Sequence, residues 1–419
     1  MIGQRWLGRV VAVRPEEVRA LLWSFAYFFC LLAAYYILRP LRDEMGVAGG
    51  VRNLQWLFTA TFATMLVAVP VYGALVARLP RRRFIPLVYH FFVANLAIFW
   101  LLLTVDFERQ TVARVFFVWI SVFNLFAVSV FWSFMADIYA SEQAKRLYGF
   151  IAAGGSAGAL AGPAITIGLA QAIGVVNLVV VAAVLLEVAV LCATRLEPRK
   201  EAPVGEAKIG GGALDGLMMI LRSPYIAGIA LWVGVLSIAA TFLYFEQAAI
   251  VAAASDDPAV RTRIFATVDL AVGLLTLLVQ FFATGKLIQR FGVGPALALL
   301  PFVFALGFAV LAAAPVLMVV IAFQALQRTA NFAISNPARE VLFTVVARDE
   351  KYKAKNVIDI VAVRGADAAG GWLVTGLRAL GMEARAIALG AIALAVAGIA
   401  LSAALGRAQG RRAAAAPRL

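Results

Sequence analysis

The residues that decide the fold run from position 18 to position 40 and read VRALLWSFAYFFCLLAAYYILRP. Every side chain between Arg19 and Arg39 is uncharged, and most are apolar. A helix of about 20 apolar residues crosses the hydrocarbon core of a bilayer, whereas a water-soluble helix needs a polar face. The stretch therefore predicts a transmembrane helix. We expect it to be retained, because it is too long for the core of a signal peptide and lacks a small-residue cleavage site.

Eleven further apolar runs follow the first. Hydrophobic residues make up 63% of the 419 residues and charged residues only 14%, a balance that excludes a soluble enzyme, a disordered chain and a disulfide-rich secreted module. The predicted fold class is an all-α membrane protein with twelve transmembrane helices. The further runs lie at about 53–77, 84–104, 112–137, 147–172, 175–195, 224–250, 264–285, 294–313, 315–336, 356–378 and 384–406.

Positive charge is distributed unevenly among the connections. Most of the 37 Lys and Arg residues fall in every second connection, beginning with the amino-terminal segment. Because cytoplasmic connections carry such an excess, we expect both termini in the cytoplasm and a bacterial inner membrane as the location. The single His and the two Cys leave no metal, haem or iron–sulfur site, so no metal and no cofactor are expected.

The chain divides into two similar halves. The longest polar connection, 196–223, is rich in Pro and Gly and predicts a flexible cytoplasmic linker between bundles at 1–195 and 224–419. A Gly-x-x-x-x-Arg motif follows the second helix at 73–78 and the eighth helix at 285–290. This repetition predicts two pseudo-symmetric bundles of six helices each.

The repeated loop motif and the six-plus-six arrangement resemble the major facilitator superfamily. That resemblance implies a major facilitator fold and alternating access about a site near the membrane midplane. It also implies gating or loop roles for the motif residues Gly73, Arg78, Gly285 and Arg290.

Three separated segments are similar to the ATP/ADP translocase family of plastids and intracellular bacteria. They are LRPLRD at 38–43, FWSF with AKRLYG within 131–149, and NPARE with KNVID and Arg364 within 336–364. The resemblance implies nucleotide exchange, and thus an antiporter. It also implies loop or gating roles for Lys145, Arg146, Arg339, Glu340 and Asp359.

Several positions depart from the translocase pattern. Asp367 stands where the translocases carry a Lys, and Asn336 stands where they carry an Asp. Glu246 matches an acidic position, but the basic residue that follows in the family is absent. Two positive charges of the translocase pathway are therefore missing. The substrate class is left as an organic anion, with nucleotides and other phosphorylated metabolites among the candidates.

Arg39 and Arg42 are candidate substrate contacts at the outer end of the first helix. Charged groups at membrane depth cost several kcal/mol unless they are paired or hydrated. The two arginines lie three residues apart on one helix face, where their guanidinium groups could hold carboxylate or phosphate oxygens. Snorkelling to the headgroups, or pairing with Asp43 and Glu44, is the alternative.

Four further charged residues are candidates within the helices. Arg364 and Asp367 lie three residues apart in the eleventh helix, either as an anion-binding Arg with a carboxylate that releases it or as a structural ion pair. Glu246 and Asp269, with Asp367, are candidates for proton coupling. Alternatively, Glu246 is a counter-ion to Arg39, and Asp269 pairs with an arginine of its own helix.

A polar stripe marks the tenth helix, at helical spacing: Gln324, Arg328, Asn331 and Ser335. It predicts a face toward water or another helix, with Arg328 and Asn331 as substrate contacts or as part of an interhelical hydrogen-bond seam. Tyr35 and Trp132 could stack on a base, although aromatic residues are also ordinary in helix packing.

The fifth helix carries Gly154, Gly158 and Gly162, four residues apart, followed by Pro163. Glycines at this spacing allow two helices to approach closely. A similar run is associated with exchange in facilitator-superfamily antiporters, but close packing alone also explains it.

The sequence as a whole predicts a secondary transporter that moves an organic anion by exchange or by proton coupling. We expect a small anionic substrate and membrane lipid as partners, no nucleic acid, and a monomer. A phosphate-binding Gly-x-x-x-x-Gly-Lys-Ser/Thr loop is absent, so neither an ATP-driven pump nor another enzyme is expected. The alternatives are a proton-coupled exporter of cationic or neutral drugs, which would depend on Glu246 and Asp367, and a non-transporting scaffold or sensor.

Overall fold

The computed structural model describes residues 13–78, 81–196 and 213–415, which form helices and no strand. Twelve long helices correspond to the twelve predicted apolar runs, four of which extend one to three residues beyond their helix. They are α1 (Val18–Ala48), α2 (Leu54–Arg78), α3 (Arg81–Thr104), α4 (Arg109–Ile138), α5 (Ser141–Leu169), α6 (Val175–Thr194), α7 (Pro224–Ala254), α8 (Pro258–Phe291), α9 (Val293–Ala313), α10 (Leu317–Val345), α11 (348–379) and α12 (Ala384–Ala415).

Eleven helices in these described ranges are long and apolar enough to cross a membrane. The remaining one, α11, is helical from 348 to 379 but begins with a strongly charged segment and carries Arg364 and Asp367 at its centre. Because of these charges, α11 is less apolar than the other eleven helices. The predicted all-α membrane fold is confirmed.

Two compact units divide the chain. The first consists of Met1–Gly49, Val67–Glu206 and Asp256–Leu270. The second consists of Gly50–Leu66, Ala207–Ser255 and Ala271–Leu419. The first unit therefore includes the beginning of α8, which comes from the second half of the sequence. The second unit includes the beginning of α2, which comes from the first half.

The described part of the predicted linker contains a helix, Ala213–Arg222, directly before α7. Its earlier part, 197–212, lies outside the described residues. The division of the chain at 195 and 224 stays a prediction.

An aromatic core holds the first unit together around α1, which packs against α4, α5 and α6. Phe28 of α1 stacks on Phe131 of α4 with ring centroids 4.0 Å apart. Tyr27 donates a hydrogen bond to the hydroxyl of Tyr89 at 2.8 Å, and that hydroxyl donates to the carbonyl oxygen of Ala127 at 3.1 Å. These hydrogen bonds remove the cost of burying two hydroxyl groups in an apolar core.

The glycines of α5 lie directly on the backbone of α1. A Cβ atom would come 2.6 Å from a carbonyl oxygen of α1 at Gly154 and 2.7 Å from another at Gly162. At Gly158 the added atom would overlap the carbonyl oxygen of Phe29. Pro163 follows within the helix. Close packing is thus the structural role of this stripe, and a role in exchange stays a prediction.

We expect Gly158→Ala to lower the apparent melting midpoint of the purified protein, because its methyl group meets backbone that cannot move aside. Overpacking of this kind costs about 1–3 kcal/mol. Gly168→Ala in the same helix is the matched control, since a Cβ there has no atom within 4 Å. If Gly158→Ala melts no lower than Gly168→Ala, the packing described here is wrong.

The second unit contains three π-helical segments: Gln280–Thr284 in α8, Ala330–Ser335 in α10 and Ile358–Ala362 in α11. The first two meet where Thr284 donates a hydrogen bond to the carbonyl oxygen of Ala333 at 2.8 Å. Such segments widen a helix turn and are frequent at functional sites. Those in α10 and α11 lie next to Arg328 and Arg364.

Candidate functional site

Arg39 of α1 pairs with Asp269 of α8, both in the first unit. Nη1 of Arg39 lies 3.5 Å from Oδ1 of Asp269, whose side chain is almost completely buried. Arg263, the other partner suggested for Asp269, donates to Gln171 at 2.6 Å. A carboxylate in this position stabilises the guanidinium group of Arg39.

A second ion pair joins the same two helices in the first unit. Nη2 of Arg261 donates to Oε1 of Glu44 at 2.7 Å, and both side chains are buried. Sequence reasoning missed this pair, because it considered Glu44 only as a partner of Arg39 or Arg42. The two residues are 217 positions apart, so no local spacing could have indicated their contact.

Arg42 lies against an aromatic ring and an acidic neighbour. Its guanidinium carbon is 4.3 Å from the centre of the Phe117 ring, and its Nε is 3.7 Å from Oδ1 of Asp43. A cation over a ring face is attracted by the ring quadrupole. Arg42 therefore pairs with Asp43, which was the alternative to its role in substrate binding.

Glu246 of α7 accepts a hydrogen bond from Nη2 of Arg378 in α11 at 2.8 Å, within the second unit. Arg378 is thus its partner within the unit, and the suggested counter-ion role toward Arg39 stays a prediction. Glu246 is buried, whereas the side chain of Arg378 is about one third exposed. The sequence places Arg378 at the end of an apolar run, and only its position across from α7 makes it the partner.

Arg364 and Asp367 pair within α11, as one of the two sequence interpretations expected. Nη1 of Arg364 donates to Oδ2 of Asp367 at 3.2 Å. The side chain of Arg364 is 35% exposed, compared with 14% for Asp367. Among the described residues, Nε and Nη2 of Arg364 have no hydrogen-bond partner. Arg364 thus has donors left for a ligand.

The polar stripe of α10 is partly engaged with α7. Nε2 of Gln324 donates to Oε1 of Gln247 at 2.7 Å, and both side chains are buried. Arg328 and Asn331 are half-buried, and Ser335 is buried. The interhelical seam therefore accounts for Gln324, while Arg328 and Asn331 stay candidates for substrate contact.

The aromatic candidates already contact other rings. Trp132 lies 5.2–5.4 Å, centroid to centroid, from Phe131, Tyr148 and Phe28. Tyr35 lies 5.2 Å from Tyr36. Edge contacts of this kind are ordinary aromatic packing, so a stacking surface for a base has no specific support here.

The loop motifs of the first unit form ion pairs near the beginning of α5. Arg146 reaches the buried Glu17 at 2.9 Å, whereas Lys145 pairs with the exposed Glu142 at 2.9 Å. Gly73 and Arg78 lie outside the residues whose side chains are described.

In the second unit two ion pairs join α10 to α11. Arg339 lies 3.1 Å from Asp359, and Lys355 lies 2.6 Å from Glu340. These contacts are compatible with the gating roles implied for Arg339, Glu340 and Asp359, which stay predictions.

The second Gly-x-x-x-x-Arg motif forms the last turns of α8, where its glycine is not closely packed. Gly285 has no atom within 4 Å of a possible Cβ, and the guanidinium of Arg290 lies 5.6 Å from the ring centre of Phe291. Within the described part of the chain, no three His, Cys, Asp or Glu side chains are grouped so that they could hold a metal ion.

The family model described as Major Facilitator Superfamily matches residues 20–326. The chain belongs to the major facilitator superfamily. It is accordingly an integral membrane transporter for a small molecule, not an enzyme. None of the curated proteins matches it.

Solved structures of other transporters share this fold. A bacterial homologue of the human lysosomal transporter Spinster, inward-facing and unoccupied, is 16% identical with a TM-score of 0.60, over 96% of this chain and 99% of that one. The nucleoside transporter NupG is 13% identical with a TM-score of 0.63, over 95% and 100% of the two chains. The POT family transporter PepTSo is 13% identical with a TM-score of 0.66, over 94% and 98%. Identities this low show the fold alone.

Proposed function

We propose that this protein is a secondary active transporter of an organic anion, with Arg364 as the principal anion contact. One observation carries the proposal: an arginine at the centre of a transmembrane helix retains exposed, unused hydrogen-bond donors. A charge at this depth is costly, so its retention requires a compensating role. A guanidinium group with two free donors suits a carboxylate or phosphate.

Asp367 gives the site a means of releasing its ligand. With Asp367 charged, the Arg364–Asp367 pair is neutral, and an incoming anion competes with the carboxylate for the guanidinium. Protonation of Asp367, or arrival of a second anion, changes that competition. Proton coupling and exchange are thus the two modes of transport that this pair supports, within an alternating-access cycle.

Nucleotides are among the candidate anions because the segments 38–43, 131–149 and 336–364 resemble those of the ATP/ADP translocases. The absence of two basic residues of that family favours anions that carry fewer charges. The proposal includes a monomer in a bacterial inner membrane with both termini in the cytoplasm. The distribution of Lys and Arg supports that orientation.

We expect a thermal-shift screen of the purified protein to find stabilisation by an anion. The panel contains ATP, ADP, phosphorylated metabolites, dicarboxylates, anionic peptides and cationic drugs. A ligand at a hundred times its Kd stabilises the folded state by about 2.7 kcal/mol, which raises the melting midpoint. The Arg364→Ala variant should lose the shift, and Arg385→Ala, which removes an exposed arginine, should keep it.

The screen also separates the other functions. Stabilisation by cationic drugs and by no anion would replace the proposal with drug export. If no compound shifts the midpoint and none is transported, the result would support a role as a scaffold or sensor and not as a transporter. Stabilisation by another anion but not by ATP or ADP would remove nucleotides from the candidates and keep the anion site.

A further inference from the structure

A pair of ionisable side chains lies on the exposed surface of the first unit, at membrane depth. The side chains of His90 in α3 and Glu187 in α6 are 54% and 44% exposed, and Nε2 of His90 lies 3.4 Å from Oε2 of Glu187. Glu187 interrupts the most apolar of the candidate spans, about 10 Å from the end of α6 at Thr194. A carboxylate that faces lipid at this depth is costly without a partner.

The hydrogen bonding of His90 shows that Nε2, the nitrogen that faces Glu187, is an acceptor when the ring is neutral. Nδ1 lies 2.7 Å from the carbonyl oxygen of Pro86. Because a carbonyl oxygen only accepts, Nδ1 must carry the hydrogen, and Nε2 of the neutral ring presents a lone pair. In that state Nε2 and the Glu187 carboxylate are two neighbouring acceptors, which cannot bond to each other. A third group with N–H or O–H donors is needed to bond to both.

An apolar groove begins beside this pair. It has a volume of about 420 Å³ and is lined, apart from Glu187, by apolar side chains: Val93, Val180, Ala183, Val184, Val188 and Leu191. Sites for small molecules commonly have about 300–1,000 Å³. The groove thus combines room for a hydrocarbon chain with one negative charge at its edge.

We propose that the groove binds phosphatidylethanolamine, whose ammonium group bridges Glu187 and His90 while an acyl chain lies along the apolar wall. A primary ammonium has three N–H donors and one positive charge, which match two acceptors and one carboxylate. Phosphatidylcholine has a positive charge but no N–H donor, and phosphatidylglycerol has no positive charge. The assignment is independent of which solute the protein transports.

The test reconstitutes the full chain in nanodiscs of mixed phosphatidylethanolamine, phosphatidylcholine and phosphatidylglycerol, and counts the lipids retained by native mass spectrometry. We expect phosphatidylethanolamine to be retained about tenfold over phosphatidylcholine, the ratio that corresponds to about 1.4 kcal/mol from charge-assisted hydrogen bonding. Glu187→Gln should remove this preference and Glu187→Asp should keep part of it. Glu108→Gln, at an exposed position outside the groove, should leave it unchanged.

Two results would overturn the proposal. Equal retention of phosphatidylethanolamine and phosphatidylcholine by the unchanged protein would mean that a proton on His90, not an ammonium group, satisfies the pair. Retained preference in a folded Glu187→Gln protein would place the lipid elsewhere. Folding of each variant is checked by its melting midpoint in phosphatidylcholine alone.

Discussion

Replacing Arg364 with alanine is expected to weaken anion binding at least about tenfold and to reduce transport to near the background, while leaving the protein folded. Arg364 is a third exposed, and its partner Asp367 keeps some contact with solvent, so the truncation strands no fully buried charge. Hydrogen bonds to charged groups contribute about 1.5–3 kcal/mol, and their loss weakens binding by about 10- to 150-fold. Calorimetric titration with the anion found in the screen measures this directly.

Two further substitutions at the site separate charge from geometry. Arg364→Lys keeps the positive charge but loses the planar fork, so we expect affinity between those of the unchanged protein and Arg364→Ala. Asp367→Asn removes the competing carboxylate and should tighten anion binding. If Asp367→Asn weakens binding as much as Arg364→Ala does, the pair is structural and Arg364 is not the ligand contact.

Breaking the buried ion pair between Glu44 and Arg261 is expected to have the second-largest effect, on stability. The two side chains are 2% and 11% exposed. Removal of one partner leaves the other charge buried without its counter-ion, which costs about 3–5 kcal/mol. We therefore expect Glu44→Leu and Arg261→Met each to lower the apparent melting midpoint strongly.

The double variant Glu44→Leu/Arg261→Met tests whether the two single variants lose stability because they break the same interaction. Replacement of a whole buried pair by apolar residues is often close to neutral, so the double variant should melt higher than either single variant. Glu142→Gln provides the control, since it removes one partner of an exposed pair and should change the midpoint little. Additive losses in the double variant would contradict a direct interaction between Glu44 and Arg261.

The helices could be predicted from the sequence because one physical requirement determines them. A segment that crosses hydrocarbon must be long, apolar and helical, and each predicted run corresponds to an observed helix. The ends of the helices were less predictable than their positions. The run predicted at 356–378 belongs to a helix that begins at 348, since the charged residues of its first turns carry no apolar signal.

The site was predictable only where its contacts are local. Arg364 and Asp367 share a helix face at three-residue spacing, and the sequence therefore indicated their pairing. The Glu246–Arg378 and Glu44–Arg261 pairs join residues 132 and 217 positions apart, and only tertiary packing brings them together. The π-helical segments beside Arg328 and Arg364 have no signature in composition.

The central claim is that Arg364 holds a transported anion, and flux measures it most directly. Proteoliposomes that contain the protein are supplied with the labelled anion found in the screen, with either the same anion or a proton gradient on the opposite side. We predict uptake above that of empty liposomes for the unchanged protein and for Arg385→Ala, and uptake near that of empty liposomes for Arg364→Ala. Uptake of the anion by Arg364→Ala at the unchanged rate would contradict the account.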